Sequence, residues 1–345
     1  MKVLVINNMA PFVWGGAEEL AENLVRRLNA TPGVQSELLR LPFQWNPAER
    51  LPLEIYIHRT YRLHNADRVI ALKFPAYLVP HERKTLWLLH QYRQAYDLTG
   101  EHTNIPDTER GREIHRLIRE NDATCFRDCA NIFVISETTR RRLQANIGIA
   151  GEVLMHPMND PELFAGAEPG GYVFAGGRIN GAKRQHLLVD AMRHVKSGVR
   201  LVVAGPPDTS EDGDRLRRLV RDHGLDGRVT LDLRLMTRAE VARYVNGALA
   251  CAYLPFAEDS IGYVTMEAFT AAKPVLTVAD SGGVLEIVAD GQTGWVEAPE
   301  PRALAAALDA AVARPRRTAE MGAAARAAWR KLDVTWPSTI ERLLS

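Results

Sequence analysis

The length, composition and charge of the sequence limit the class of protein. A chain of 345 residues is long enough for two domains of ordinary size, each with its own core. Hydrophobic residues make up 46% of the chain, charged residues 25%, and the formal net charge is +1, which is typical of a soluble globular protein and argues against a nucleic-acid binder.

The cysteines and the N-terminal residues predict the compartment. The three cysteines, Cys125, Cys129 and Cys251, are too few for a disulfide framework, and the first two lack a second pair for a zinc site. We therefore predict reduced thiols in or near the core. The sequence MKVLVINN enters a strand directly, without a secretory leader, and no run of eighteen apolar residues follows. The predicted compartment is the cytoplasm.

The first predicted strand leads into a pair of glycines. Residues 2–6 form a continuous apolar run, which is typical of a strand inside a parallel sheet. Gly15 and Gly16 follow where the loop turns into a helix, so their amides can face a phosphate or a sugar oxygen. A tight turn without a ligand is the alternative interpretation.

Two further strands end in residues that can act on a ligand. Residues 41–63 show no sustained period and predict a loop-rich region. Residues 68–72 and 85–89 are strand-like, and Lys73 and His90 stand at their carboxyl ends. Because a ligand in an open α/β sheet lies beyond the carboxyl ends of the strands, both are candidate site residues. A structural role for the lone histidine is the alternative.

A charged helix and an arginine cluster precede the predicted linker. Residues 107–130 predict a long helix, and Ser136 caps the helix that follows the next strand. Three consecutive arginines at positions 140–142 are a candidate peripheral membrane contact through acidic lipid, or a contact with an anionic acceptor. A solvated helix face is the alternative. The Gly- and Pro-containing residues 160–171 are the predicted linker.

The second domain opens with a glycine-flexed loop that carries two cations. The strand at residues 172–175 is followed by Gly176, Gly177 and Arg178, and Lys183 stands at the start of a predicted helix. This loop suits a diphosphate, because arginine chelates two oxygens and lysine adds a mobile point charge. Two surface cations beside a turn are the alternative.

The next strands alternate with helices. Residues 200–205, 228–233 and 250–254 are strand-like, which predicts a doubly wound parallel sheet. Asp212 and Asp214 form an Asp-x-Asp pair, but their polar loop before a helix favours a solvated cap over a metal site. No metal is predicted.

An acidic loop and a helix N-terminus follow the last of these strands. Asp259 lies in the loop, and Glu267 lies inside the helix, eight positions later. Two carboxylates so placed can hold different parts of one ligand, while Gly262 lets backbone amides approach a bound oxygen. Tyr263 and Val264 begin the helix. Solvated charges on a plain β-α unit are the alternative.

The last part of the chain predicts helices. Residues 284–289 form a helix that carries Glu286. Residues 301–313 and 317–330 are alanine-rich, with good helix propensity, and residues 336–344 are the last predicted helix.

The acidic loop resembles the signature of the retaining family-four glycosyltransferases of the GT-B fold. The family pattern is Glu, seven residues, Glu. Counting back from Glu267 puts Asp259 at the first position, and Glu258 fits only if one residue is inserted in the loop; both alternatives stay open. The resemblance implies that the first acid contacts donor-sugar hydroxyls and that Glu267 holds the ribose hydroxyls of the nucleotide.

Other motifs carry the same resemblance, which covers most of the chain and is strongest from residue 171 to residue 295. The family has a Gly-Gly-Ala-Glu stretch after its first strand and a histidine at a strand end that points at the donor sugar near the anomeric carbon. It also has a Gly-Arg, loop, Lys segment that neutralises the nucleotide diphosphate. The matching residues are Gly15, Gly16, His90, Gly177, Arg178 and Lys183.

The resemblance implies a fold and a domain organisation. The fold class is α/β, GT-B, with two Rossmann-like domains whose parallel sheets face an interdomain cleft. Residues 1–160 are then the acceptor-side domain, residues 161–330 bind the nucleotide sugar, and residues 331–345 are a C-terminal helix that returns to the N-terminal domain.

The resemblance also implies an activity. It is metal-independent, retaining transfer of a hexosyl group from a nucleotide-diphosphate sugar to a glycan, lipid-linked or small-molecule acceptor, with no cofactor and no side-chain base. The implied catalytic residues are Arg178, Lys183, His90 and Asp259. The implied donor-binding residues are Gly15, Gly16, Gly177, Glu258, Gly262, Tyr263, Val264 and Glu267. A sugar-nucleotide epimerase and a catalytically silent GT-B partner that binds nucleotide or glycan are the alternatives.

Overall fold

The computed structural model describes residues 1–98 and 103–345 and divides the chain into two units. Unit 1 comprises Met1–Pro157 together with Thr335–Ser345, and unit 2 comprises Met158–Val334. Each unit contains its own six-stranded sheet. Because every strand pair is parallel and helices separate the strands along the chain, each unit is Rossmann-like, and the predicted α/β fold class is confirmed.

The sheet of unit 1 has the strand order β2-β1-β3-β4-β5-β6. Its strands are β1 (Lys2–Met9), β2 (Gln35–Pro42), β3 (Arg68–Lys73), β4 (Lys84–His90), β5 (Asn131–Val134) and β6 (Glu152–Val153). Its helices are α1 (Gly16–Asn29), α2 (Leu51–Thr60), α3 (Arg93–Tyr96), α4 (Glu109–Arg127), α5 (Glu137–Ile147) and the last helix of the chain, α12 (Trp336–Leu344).

Alternation along β1 explains how this sheet becomes buried on both faces. Val3 and Val5 pack into one hydrophobic cluster with α1, and Ile6 packs into another cluster on the opposite face. Helix α12 belongs to the first cluster, where Trp336 and Leu343 are buried. The C-terminal segment therefore completes the core of unit 1.

The sheet of unit 2 has the strand order β12-β11-β10-β7-β8-β9. Its strands are β7 (Tyr172–Gly176), β8 (Arg200–Ala204), β9 (Val229–Asp232), β10 (Ala250–Ala252), β11 (Val275–Val278) and β12 (Gly294–Glu297). Its helices are α6 (Gln185–Ala191), α7 (Ser210–Asp222), α8 (Arg238–Gly247), α9 (Tyr263–Thr270), α10 (Pro301–Ala313) and α11 (Pro315–Lys331).

The two faces of this second sheet are covered by different helices. Val173 and Ala175 pack in a cluster with residues of α6 and α10, whereas Phe174 points to a cluster that includes α8 and α9. Phe174 stacks on Tyr244 with ring centroids 5.3 Å apart and an interplanar angle of 10°. Helix α9 and the loop before it are thus held against the sheet.

The prediction of a loop-rich region at residues 41–63 is wrong. This part of the chain contains the end of β2 and the helix α2. Strand β2 lies at the sheet edge and shows no regular alternation of buried residues. Helix α2 has only ten residues and follows a proline-containing loop, so its apolar period is too short to stand out in sequence.

Two predicted helix boundaries in unit 2 also need correction. The predicted helix at residues 284–289 is a single 3₁₀ turn, Gly283–Glu286. Lys183 lies in the turn before α6, because Arg184 adopts the left-handed conformation with φ 56° and the helix begins at Gln185.

Two predicted helix caps are confirmed. Ser136 caps α5 by accepting a hydrogen bond from the Thr139 amide, 2.9 Å away. Asp212 lies in a helix cap, where its carboxylate accepts from the Thr209 amide at 3.2 Å. The three cysteines are free thiols. Within the described ranges, no helix combines the length and the apolarity needed to cross a bilayer.

Candidate functional site

The loops at the carboxyl ends of β7 and β10 carry both predicted cations and both candidates for the first acidic position, and the loops after β8 and β11 lie beside them. Arg178 and Lys183 follow β7, Glu258 and Asp259 follow β10, and the loop after β11 packs beside them. Because the strands are parallel, these loops leave the sheet at one edge, which we call the carboxyl edge of unit 2.

Lys183 is held between an acid and a phenol from the loop after β10. Its ammonium ion-pairs with the Glu258 carboxylate and donates to the Tyr253 hydroxyl at 2.9 Å. Burial alone lowers the pKa of Lys183, but Glu258 and Tyr253 outweigh burial, and the pKa lies above its ordinary value. The lysine is therefore a fixed cation, and 25% of its side chain remains exposed.

Arg178 is fixed by a two-pronged ion pair with the loop after β8. Its Nε and Nη2 atoms donate to Oδ1 and Oδ2 of Asp208 at 2.7 and 2.6 Å. Asn180 donates to the same carboxylate at 2.9 Å, and Gln185 donates to the Arg178 carbonyl at 2.9 Å. A guanidinium so oriented keeps its position before any ligand arrives.

Close backbone contact explains the glycines in this part of the edge. Gly177 has φ 102°, which a side chain disfavours. A Cβ on Gly205, whose φ is 143°, would lie 2.0 Å from the Gly177 carbonyl oxygen. These glycines let the loops after β7 and β8 touch, so that Arg178 and Asp208 meet.

The two acids in the loop after β10 lie in different surroundings. Glu258 pairs with Lys183, whereas Asp259 is only 2% exposed. The loop is fixed by backbone hydrogen bonds of 3.0 Å from the Glu258 amide to the Ser281 carbonyl and of 2.7 Å from the Gly283 amide to the Glu258 carbonyl. Of the two candidates for the first acidic position, Glu258 thus contacts a cation of the loop after β7, and Asp259 is buried.

Gly262 is required by the packing of an aromatic ring. Its φ is 77°, and a Cβ there would lie 2.4 Å from the ring of Tyr253. The physical reason predicted for this glycine is therefore incomplete. Helix α9 begins directly afterwards, with Tyr263 accepting a hydrogen bond from Asn159 at 3.4 Å and Val264 buried.

Glu267 is buried on α9 and is neutralised by a distant arginine. Its carboxylate ion-pairs with Arg238, which also donates to the Asn159 carbonyl at 3.1 Å. The guanidinium lies 5.0 Å from the centroid of the Phe164 ring. The Glu267 side chain is thus held in one place on the inner face of the helix.

Sequence reasoning missed Arg184 and Arg238. Arg184 chelates Asp280 at 2.9 and 2.6 Å and donates to the carbonyls of Leu254 and Pro255, both at 2.8 Å. It therefore joins the loops after β10 and β11. The only local signal was a second cation next to Lys183, and Arg238 had none.

The predicted residues of the N-terminal half lie in unit 1. Gly15 caps α1, and its amide donates to Glu18 at 3.0 Å, while Glu18 lies 3.9 Å from Lys73. Gly16 is the first residue of that helix. His90 ends β4 and is half-buried, with Nδ1 2.6 Å from the Gln91 carbonyl oxygen.

A buried acid held by two phenols lies under the same strand end. Asp122 is fully buried and accepts hydrogen bonds of 2.9 Å from the hydroxyls of Tyr77 and Tyr96. Burial raises the pKa of Asp122 to about 8, although both phenols oppose the shift. The carboxyl group is therefore largely protonated at neutral pH.

The predicted arginine cluster, residues 140–142, lies on helix α5. Arg140 and Arg141 contact Glu137, and Arg142 lies 3.7 Å from Asp97, so each cation has a carboxylate neighbour.

Across residues 1–98 and 103–345, no group of three or more histidine, cysteine or acidic side chains is arranged to hold a metal ion.

Comparison with known proteins gives a family for most of unit 2. Residues 165–328 match the family model described as glycosyl transferases group 1. Over this stretch, the resemblance to glycosyltransferases predicted from the motifs is confirmed.

Two curated relatives match about half of the chain. The α-maltose-1-phosphate synthase of Mycolicibacterium smegmatis is 33% identical over 159 residues, which are 44% of this chain and 41% of the relative. The D-inositol 3-phosphate glycosyltransferase of Kineococcus radiotolerans is 35% identical over 185 residues, which are 49% of this chain and 42% of the relative. The chain thus spans about two fifths of the length of these relatives.

A solved structure matches along the whole chain. Anabaena Alr3699/HepE in complex with UDP-glucose superposes with a TM-score of 0.76 and 19% identity, covering 100% of this chain and 98% of that one. At this identity the likeness shows the fold alone.

Proposed function

Because residues 165–328 match the family model described as glycosyl transferases group 1, we propose that this chain moves a sugar from a nucleotide-diphosphate sugar to a carbohydrate, lipid-linked or small-molecule acceptor. The transfer retains the configuration at the anomeric carbon and uses neither metal nor cofactor. The observation that carries the proposal is the convergence of Arg178 and Lys183, each held by an acid, at the carboxyl edge of unit 2.

The donor lies along this edge in the proposed binding mode. Its diphosphate binds Arg178 and Lys183, where both cations keep exposed surface. Its ribose hydroxyls bind Glu267, and its sugar hydroxyls bind Asp259 or Glu258. Asp259 stands eight positions before Glu267, in register for the sugar, while Glu258 orients Lys183.

The chemical step concentrates charge on the leaving phosphate. The bond between the anomeric carbon and the β-phosphate oxygen breaks while the acceptor oxygen bonds to that carbon, and the acceptor's proton passes to the departing phosphate. Arg178 and Lys183 stabilise the negative charge that develops on that phosphate. Both are held before substrate arrives, so little free energy is spent on orienting them during the reaction.

Unit 1 supplies the acceptor side in this proposal. His90 stands at the carboxyl end of β4 and Gly15 and Gly16 at the start of α1, which are the positions expected for contacts near the reacting centre. We further propose the functional domains at residues 1–160, 161–330 and 331–345, and a cytoplasmic enzyme. Peripheral membrane contact through residues 140–142 also remains a proposal.

A catalytically silent partner is the second candidate. It is favoured by the aspartate at position 259, where the family pattern has glutamate. Such a protein binds nucleotide or glycan and supports an active transferase. The Asp259 side chain is one methylene shorter than glutamate at the position that the resemblance assigns to the donor sugar.

Incubation with a panel of nucleotide sugars, with and without acceptors, tests the proposal. Release of free nucleotide only when an acceptor is present supports a transferase. An isomerised donor sugar without acceptor indicates an epimerase, and binding without turnover indicates a silent partner. Either of the last two results contradicts the proposed transfer.

A further inference from the structure

Two loops at the carboxyl edge of the unit 1 sheet carry aromatic rings, of which Phe12 and Trp45 are exposed and Trp14 is half-buried. The β1–α1 loop carries Phe12 and Trp14, and the loop after β2 carries Trp45. The amide of Phe43 donates to the Met9 carbonyl at 3.0 Å, so the two loops separate directly beyond the paired ends of β1 and β2. We call Phe12, Trp14 and Trp45 the aromatic edge.

Phe12 is held in a conformation that a bulky side chain disfavours. Its φ is 62°, in the left-handed region, and its side chain has 108% relative exposure. Exposure of a phenylalanine ring gains nothing for the core, and the backbone conformation adds strain. A ligand that packs on the ring would remove its apolar surface from water.

Trp45 packs on Phe43, and part of its surface remains exposed. Its ring centroid lies 6.0 Å from that of Phe43, which packs edge-on against Phe74 at 5.6 Å. The Asn104 side chain donates to the Trp45 carbonyl at 2.6 Å. The indole therefore stands on a packed aromatic base with 42% of its surface exposed.

The charge of these loops indicates what they bind. Residues 10–15 and 43–47 contain no ionisable side chain, and their polar side chains are the amides of Gln44 and Asn46. Arg40 supplies one cation at this edge, with its guanidinium over the Trp14 ring, 5.2 Å from the centroid. A phosphorylated acceptor needs several convergent cations, and an anionic membrane needs a basic surface; neither loop supplies them.

We propose that the aromatic edge is the acceptor subsite and that the acceptor is a neutral saccharide. A pyranose ring has an apolar C–H face that can lie on an aromatic ring and a rim of hydroxyls that amides can bind. The inference rests on the proposed function, because it assigns the acceptor of that reaction. It predicts neutral glycosides rather than sugar phosphates or inositol phosphates as acceptors.

The test is a tryptophan-fluorescence titration of the full chain with maltose, lactose, methyl α-mannoside and glucose 1-phosphate. We expect one of the neutral saccharides to bind most tightly, and Phe12→Ala and Trp45→Ala each to weaken its binding about threefold to tenfold. Tyr56→Ala, which removes a 67% exposed ring on α2, is the matched control and leaves the affinity unchanged. The affinity for UDP and the unfolding temperature stay the same in the two edge variants.

Three results overturn the inference. They are tighter binding of glucose 1-phosphate than of every neutral saccharide, no binding of any neutral saccharide, and co-sedimentation with phosphatidylcholine vesicles that is lost in the edge variants. Saccharide binding without release of UDP from UDP-glucose leaves the aromatic edge intact and contradicts only the proposed transfer. The two ideas therefore fail separately.

Discussion

The carboxyl edges of the two sheets handle charge in opposite ways. In unit 2, cations and acids meet across loops, with Lys183 on Glu258 and Arg178 on Asp208. In unit 1, the loop segments that carry Phe12 and Trp45 contain no ionisable side chain, and Asp122 is bonded to phenols. Charged ligands need fixed charges, and neutral ones need shape and hydroxyl partners, so the contrast matches a diphosphate donor and a neutral acceptor.

The largest expected effect comes from removing a cation of unit 2. Lys183→Ala lowers kcat on the order of a hundredfold, as the loss of a preorganised donor does, because the ammonium stabilises charge that develops on the leaving phosphate. Initial rates of nucleotide release measure it. Lys196→Ala, an exposed lysine in the same unit, is the control. Turnover of Lys183→Ala within twofold of wild type contradicts the assignment.

The next effect concerns the buried acid on α9. Arg238→Ala removes the cation that contacts Glu267 and lowers the free energy of unfolding by about 2 kcal/mol, less than for a fully buried pair. Urea denaturation measures the change. Arg193→Ala, which breaks an exposed pair with Asp190, should change stability by less than about 0.5 kcal/mol. Equal losses in both variants mean that Glu267 does not depend on Arg238.

A smaller effect is expected at Gly262. Gly262→Ala places a Cβ against the Tyr253 ring at a positive φ, so we expect a loss of about 1–2 kcal/mol and a raised KM for the donor. Thermal unfolding and donor kinetics measure both. Gly181→Ala is the control, because a Cβ at that position would meet no heavy atom within 4 Å beyond its chain neighbours. An unchanged donor KM would show that Gly262 serves the packing of Tyr253 and not donor binding.

The smallest effect concerns Asp122 and pH. Its folded pKa of about 8 exceeds the ordinary value of 3.8, so the folded state holds a proton that the unfolded state loses. The stabilising contribution is therefore complete below about pH 4 and is lost as the pH rises through 8. Between pH 7 and pH 8, wild type should lose about 1 kcal/mol more than Asp122→Asn does. Urea denaturation at both pH values measures the change. If the free energy of unfolding changes equally in the two proteins, Asp122 is ionised in the folded state.

Local patterns predicted much of this fold. The bounds of α10 and α12, the Ser136 cap and the strand ends that carry Lys73 and His90 all follow from periodicity, capping chemistry and apolar runs. Edge strand β2 and the short helix α2 were not predicted, because neither has enough regularly spaced apolar residues to show a period.

Partnerships across the chain explain what the sequence could not show at the site. Arg238 reaches Glu267 over 29 positions, and Arg184 reaches Asp280 over 96. No spacing rule links residues so far apart, since folding alone brings their loops together. The packing role of Gly262 could not be predicted for the same reason, because the Tyr253 ring that a Cβ would meet is a tertiary neighbour.

The most direct test of the donor site is a crystal structure of the full chain with the nucleoside diphosphate that binds most tightly in a titration of UDP, GDP, ADP and dTDP. We predict the diphosphate on Arg178 and Lys183 and the ribose hydroxyls on Glu267, all in contact with one molecule. A nucleotide bound elsewhere, or one that touches the two cations while Glu267 contacts no part of it, would contradict the proposed donor site.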